Sequence, residues 1–350
     1  MPRLRRSDCA SPGIVRRRRG RGFEFLDSRG AKVGDDSALD RISQLAIPPA
    51  WKEVWICQDA LGHLQATGID DAGRKQYLYH DQWRTRRDAR KFDSMLEFAA
   101  ALPRLRRRVN RDLSGQELTR ERALACATRL LDLGFFRIGS EDYAERNQSY
   151  GLATMLKRHA TIERKEVVFD YPAKSGQWRV HAIADEAVRE VVSELKARRG
   201  GGPELLAYRD GRRWRDIRSD DINEYVKLAS GQDFTAKDFR TWNATVLAAV
   251  SLAEEADRPA SAAAHKRVVN ATVKRVAAYL GNTPAVARAS YIDPRVFDRF
   301  RSRWTIRGAI GPAGAAGLEQ PRVRARIEKA VLDLLEDRGS RSDGLERLAA

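Results

Sequence analysis

The apolar period of this chain changes once, and that change limits the folds open to it. From residue 23 to about residue 80 the apolar side chains come in brief alternating or aromatic-rich runs, EVWICQ, HLQATGI and KQYLYH, separated by Pro48-Pro49, Gly62 and Asp71-Ala72-Gly73. Alternation bounded by turn residues predicts short strands. Later the spacing becomes helical: Phe92, Met95, Leu96 and Ala99 fall at i, i+3, i+4 and i+7, one face of a 3.6-residue period. Strands first and helices after predict an α+β chain, with a small N-terminal β-rich domain and a larger, mostly α-helical domain behind it.

Pro103 is expected to end the first helix, and the basic stretch RLRRRVNRD to connect the domains, which places them at 23–103 and 104–311. Further helices are predicted over 121–133, closed by Gly134, and over 185–197, 222–228, 236–249 and 266–280. VVFDY and QWRVHAI interrupt them as two strands, and PAKSG reads as their turn, with Lys174 at the tip. Residues 1–22 hold eight arginines among Pro, Gly and Ser and are expected to be a disordered basic tail. The Gly- and Ala-rich segment 312–350 is read as a second tail, with one amphipathic helix bearing Ile327, Val331, Leu334 and Leu335. No internal repeat is found.

Charge narrows the function. Lys and Arg number 65 against 48 Asp and Glu, a formal charge of +17, and such an excess on an enzyme-sized chain points to a polyanionic partner, nucleic acid before membrane. No apolar run approaches the ~20 residues of a spanning helix, and no apolar stretch of a signal peptide follows the N-terminal arginines. Cys9, Cys57 and Cys126 are scattered, without a C-x-x-C pair, so neither a disulfide framework nor a zinc site is expected and a reducing cytoplasm fits. A G-x-x-x-x-G-K-[ST] nucleotide loop, a D-x-D carboxylate cluster and a His/Cys group with ligand spacing are all missing, so no cofactor and no metal are expected.

The stretch LGNTPAVARASYI is built to restart a helix: Gly281 reads as the stop of one, Thr283 and Pro284 as the cap and first position of the next. That short helix delivers Tyr291. A phenol, with its pKa near ~10, is a poor nucleophile unless nearby charge stabilises it and its target. Guanidinium groups suit a phosphoryl target because their rigid fork matches two oxygens and remains charged. Two candidates lie on ordered elements: Arg137, just past the Gly134 stop, and Arg240, which a Thr235/Asp238 capping box places in the opening turns of a helix. Lys174 beside such cations could have its pKa lowered enough to protonate a leaving alkoxide. His159, His181 and His265 have no sequence partner that makes a triad or a metal site, and read as surface or packed residues.

Taken in order, Arg137 in FRIGS, Lys174 in a hairpin turn, Lys237-Asp238-Phe239-Arg240, and Asn282 nine positions before Tyr291 resemble the active-site set of type IB DNA topoisomerases, the small poxvirus-like enzymes that also occur in bacteria. The likeness runs from about residue 23 to 305 and includes Ile47-Pro48-Pro49-Ala50-Trp51, Gln76-Tyr77-Leu78-Tyr79 and Gly151-Leu152. It implies that Tyr291 attacks a DNA phosphodiester and stays on the 3′ phosphate, that Arg137 and Arg240 clamp the pentacoordinate phosphorane, and that Lys174 protonates the 5′ oxygen. Asn282 stands where viral members and related recombinases usually carry histidine; an amide donates a hydrogen bond but transfers no proton, so its implied role is electrostatic.

The resemblance further implies a monomer whose two domains clamp duplex DNA, cytoplasmic and associated with the nucleoid, that relaxes supercoils without ATP or metal. Gln76, Tyr77 and Tyr79 would approach bases or backbone, Arg87 and Tyr143 phosphates, and Lys237 the cleaved step. Packing of Tyr77 and Tyr79 into a core is the plain alternative. Two other functions are alternatives: a tyrosine recombinase or integrase, which usually has histidine where this chain has Lys237 and a helical N-terminal domain, and a basic non-catalytic DNA-binding protein, which leaves the order of Lys174, Arg240 and Tyr291 unexplained.

Overall fold

Alternation builds the first of the two units into which the chain divides, Met1–Phe92, ahead of Asp93–Ala350. The computed structural model describes residues 3–255 and 261–348. In the first unit β1 (Ile14–Arg19), β2 (Gly22–Leu26), β3 (Lys52–Ile56), β4 (Leu64–Ile69) and β5 (Lys75–Tyr79) form an antiparallel sheet in the order β2-β1-β3-β4-β5. Helix α1 (Asp36–Gln44) is capped by the Asp35 carboxylate, which accepts from the Ser37 amide at 3.1 Å. Its Ile42 joins Ile14, Val54, Ile56 and Ala66 of the strands in one core, with Phe25, Leu45, Ile47, Trp51 and Leu78 packed on it.

Part of the arginine-rich segment expected to be a disordered tail is β1, an interior strand. Its backbone pairs with β2 over Val15–Arg19 and with β3 at Ile14 and Val15, so leaving the sheet would break both ladders of hydrogen bonds. The guanidinium groups find partners without being buried whole. Arg16 donates to the carbonyls of Ile47, Pro48 and Trp51 at 3.2, 3.0 and 2.7 Å and lies 4.2 Å from the centre of the Phe23 ring. Arg17 pairs with Glu24 at 2.7 Å. Gly20, at φ +58°, allows the tight return to β2.

Helix α2 (Asp81–Leu113) does not stop at Pro103. Leu105, Val109 and Leu113 continue the buried stripe of Met95, Phe98 and Leu102 through the arginines that disguised it. Burying three such side chains, at ~1.5–3 kcal/mol each, outweighs the ~3 kcal/mol a proline costs inside a helix. The two units accordingly divide at residues 92/93 rather than near 103.

The second unit is mainly helical. Helices α3 (Arg120–Leu133) and α4 (Glu141–Asn147) precede a three-stranded antiparallel sheet of β6 (Ala160–Ile162), β7 (Val167–Pro172) and β8 (Trp178–Ile183), ordered β6-β7-β8. Then come α5 (Glu186–Ala197), the hairpin of β9 (Ala207–Asp210) and β10 (Arg213–Asp216), and α6 (Ser219–Ser230). The chain continues through α7 (Ala236–Glu254), α8 (Ala262–Leu280), α9 (Pro284–Ser290), α10 (Pro294–Arg301), α11 (Arg307–Ile310) and α12 (Pro321–Leu335). α7 is buried along most of its length and forms the axis of the unit.

The segment after residue 312 is part of this unit and not a tail. Ile327, Val331, Leu334 and Leu335 are buried, and α12 packs on α7, α10 and α11. A network of four charges ties it down: Arg106 meets Asp132 at 2.8 Å and Glu328 at 2.6 Å, while Arg324 meets the same two carboxylates at 2.9 Å each. Burial pushes the Asp132 carboxyl up, but Arg324 and Arg106 outweigh it and hold the group down at about 2.

Candidate active site

The last carbonyls of a helix lack intrahelical partners and carry the negative end of its dipole, so cations collect there. Three guanidinium groups do so at the end of α8. Arg179 of β8 donates to the Ala278 carbonyl at 2.7 Å and to that of Tyr279. Arg240 of α7 donates to Leu280 at 2.9 Å and to Phe135. Arg137 donates to the Gly281 carbonyl at 2.6 Å and to Asn282 Oδ1.

Local sequence makes this junction. Gly281 adopts the left-handed conformation, φ +62°, and ends α8. The Thr283 hydroxyl accepts from the Val286 amide at 3.3 Å, Pro284 fills the first turn, and α9 hands over to Tyr291. The backbone after the tyrosine is anchored: Ile292 and Asp293 are fully buried, Asp293 pairs with Arg295 at 2.7 Å, and its amide donates to the Thr245 hydroxyl of α7 at 3.2 Å.

Arg240 lies 5.3 Å from the centre of the Tyr291 ring. Its helix starts at the box in which the Thr235 amide and hydroxyl donate to Asp238 at 2.7 and 3.0 Å. Burial raises the Tyr291 phenol, but the Arg240 charge and hydrogen bonding, Asn282 and the Lys237 charge together outweigh it and leave the pKa below that of a free phenol. Burial brings Arg240 down to about 10, against the opposing influence of Tyr291, so it remains protonated at neutral pH.

Arg137 sits on a loop held from both sides. Phe136 is fully buried among Phe169, Tyr171 and His181 on the inner face of the β7–β8 hairpin, with ring centroids 5.2, 6.3 and 4.7 Å away. Leu152 and Ala153 donate to the carbonyls of Arg137 and Ile138 at 2.8 and 2.7 Å. Gly151 permits that approach, since a Cβ there would sit 2.4 Å from the Gly139 nitrogen. His181 is a packed residue: burial and the charges of Arg179 and Arg240 push it down to about 4, so it is neutral.

Asn282 has a fixed orientation, because an oxygen and not an amide nitrogen must face the Arg137 donor. Its Nδ2 is buried without a hydrogen-bond partner among the described residues; it influences the Tyr291 phenol from nearby but outside hydrogen-bond geometry. Lys174 stands apart from these groups. It occupies the tip of the β7–β8 hairpin, where Ala173 donates to Gln177 at 2.8 Å and Ser175 and Gly176 take φ +66° and +70°. Its side chain is exposed.

Residues 80–304 match the family described as eukaryotic DNA topoisomerase I, catalytic core, and residues 22–70 match bacterial DNA topoisomerase IB, N-terminal domain. The chain belongs to the type IB DNA topoisomerases. It is 28% identical to the DNA topoisomerase 1B of Acanthamoeba polyphaga mimivirus over 287 residues, which cover 80% of this chain and 85% of the relative. The DNA topoisomerase 1B of vaccinia virus (strain Copenhagen) and the DNA topoisomerase I of monkeypox virus are each 21% identical, covering 77% of this chain and 85% of theirs.

Among this topoisomerase's candidate DNA contacts, Tyr77 and Tyr79 share the outer face of β5, with nearly parallel rings 6.3 Å apart. Arg87 lies 5.8 Å from the centre of the Tyr79 ring. Gln76 alternates to the opposite face and donates to Asp70 at 2.8 Å. Lys237 is exposed in the first turn of α7, and Tyr143 is half-buried on α4. Sequence reasoning missed Arg179 and Thr245. The only local signal for Arg179 was strand alternation, which sets it on the same face as His181. Among the described residues no group of three or more His, Cys, Asp or Glu is placed to hold a metal ion, and no helix is long and apolar enough to cross a membrane.

Proposed function

We propose that the enzyme relaxes supercoiled duplex DNA by transient cleavage of one strand. Tyr291 Oη, losing its proton to solvent, attacks a backbone phosphorus. The P–O5′ bond breaks, its electron pair stays on the 5′ oxygen, and the Lys174 ammonium supplies that oxygen with a proton; the 3′ phosphate remains esterified to Tyr291. Arg137 and Arg240 neutralise charge on the non-bridging oxygens, whose lone pairs replace the helix-end carbonyls as acceptors, and Asn282 Nδ2 donates to one of them.

The phosphotyrosyl ester retains the energy of the cut bond, so the 5′ hydroxyl can reseal the strand without ATP. While the strand is open its free end turns about the intact one, driven by torsional strain. Tyr77, Tyr79, Arg87, Tyr143 and Lys237 hold the duplex to a monomer working on the nucleoid, and the charge of +17 supports a DNA partner.

One observation carries the reading: the end of α8 gathers Arg137, Arg240 and Asn282 beside a phenol whose pKa is held below its usual value. The test is negatively supercoiled plasmid incubated in EDTA without ATP, with topoisomers resolved on a gel. A ladder of relaxed circles is expected from the native enzyme, while Tyr291→Phe is expected to shift DNA on a gel yet form no covalent adduct. Unchanged supercoils despite confirmed binding would overturn the reading, and an adduct persisting in Tyr291→Phe would assign the nucleophile elsewhere.

A further inference from the structure

In-line displacement at phosphorus puts the attacking and leaving oxygens on opposite sides of the reacting centre. The nucleophile and the proton donor must therefore be held at a set separation, although Tyr291 follows α8 and α9 while Lys174 rides on the tip of the β7–β8 hairpin. Arg179 is placed to connect them. It pairs in register with Tyr171 near the tip end of the hairpin, and its guanidinium donates to Ala278 and Tyr279, the carbonyls that precede Gly281 and Asn282. We propose that Arg179 is a positioning residue that fixes the Lys174 hairpin to the α8–α9 junction, and so holds the proton donor in line with Tyr291. This inference rests on the reading of Lys174 given above.

Three features support it. Along β8 the side chains alternate, Trp178 and Val180 standing 64% and 62% exposed while Arg179 and His181 turn inward. The inward-facing rings of Phe169, Tyr171 and His181 grip Phe136 and thereby the Arg137 loop. Level with Tyr171, Arg179 supplies the tie to α8, and the turn beyond it holds left-handed Ser175 and Gly176. The junction is also shaped for this guanidinium: a Cβ on Gly281 would lie 3.2 Å from Arg179 Cζ, in addition to the strain of its φ of +62°. The nucleophile has separate anchors in Arg240, Thr245 and Asp293, so losing Arg179 falls on the proton donor.

The test compares two leaving groups in single-turnover cleavage of a duplex. One substrate has the ordinary 5′ oxygen; the other has sulfur bridging to the 5′ carbon, which leaves as a thiolate and needs no proton. Arg179→Met retains an unbranched apolar stem and removes every donor. It is expected to slow cleavage of the oxygen substrate by on the order of 100-fold, as a misplacement of about 1 Å does, and to cleave the sulfur substrate at the native rate. Arg179→Lys, which keeps one donating group, should fall between. Because both rates come from one preparation, partial misfolding would lower them together and not change their ratio. Equal slowing on both substrates, or no slowing on either, overturns the proposal. Lys174→Ala separates the failures: if sulfur does not rescue it, the reading of Lys174 falls and this inference with it, whereas rescue of Lys174→Ala but not of Arg179→Met overturns the inference alone.

Discussion

Asn282→Ala tests whether the buried amide serves the fold or the reaction. Among the described residues this side chain makes one good interaction and leaves one group without a hydrogen-bond partner. Oδ1 accepts a charge-assisted hydrogen bond from Arg137, which contributes ~1.5–3 kcal/mol, whereas the orphaned Nδ2 costs ~1–3 kcal/mol. Truncation removes both, so the two offset and stability should change by less than about 1 kcal/mol. The reaction is different. In the mechanism proposed above, a phosphoryl oxygen arriving at the site gives Nδ2 an acceptor, and the ~1–3 kcal/mol returns as binding that favours the transition state. Losing it corresponds to slowing of about 5- to 150-fold. The assay is the single-turnover rate of covalent adduct formation, with denaturant unfolding measured on the same preparation. A loss of about 3 kcal/mol in stability with an unaltered rate would refute the reasoning, because the amide would then be a structural group only.

Other outcomes follow from the surroundings of the site. Arg324→Met leaves the buried Asp132 and Glu328 with Arg106 as their shared ion-pair partner among the described residues and should destabilise the protein by ~3–5 kcal/mol in denaturant unfolding; a loss below about 1 kcal/mol would mean that water screens the network. His181, at about 4 in the fold against an ordinary 6.5, binds a proton in the unfolded chain before it does in the native one. Its contribution is therefore complete above pH 6.5 and is lost as pH falls toward 4, a decline of about 3 kcal/mol that His181→Phe should remove from the pH–stability curve. Curves of equal slope for the two proteins would show that the imidazole is solvated.

The sequence by itself determined the features that depend on near neighbours. The change of apolar period separated a β-rich N-terminal part from a helical remainder, because side-chain spacing follows directly from the repeat of each element. Gly281, Thr283 and Pro284 marked the junction that presents Tyr291, since stops and caps act within one turn. Arg137, Lys174, Arg240 and Asn282 were readable as candidates from their order along the chain.

Only the tertiary structure decided what depends on partners distant in sequence. The arginines of β1 read as a tail until Phe25 and Glu24 of β2 were paired with them, and Pro103 read as a stop until Leu105, Val109 and Leu113 had a core to enter. The amphipathic face of α12 was legible, but its carboxylate and guanidinium partners on α2 and α3 were not. The same holds at the site. That three arginines meet on the end of α8, that Asn282 Nδ2 has no hydrogen-bond partner among the described residues and that Lys174 stays out in solvent are facts of convergence. Burial, field and hydrogen-bond geometry exist only once segments far apart along the chain share one small volume, and no local pattern encodes them.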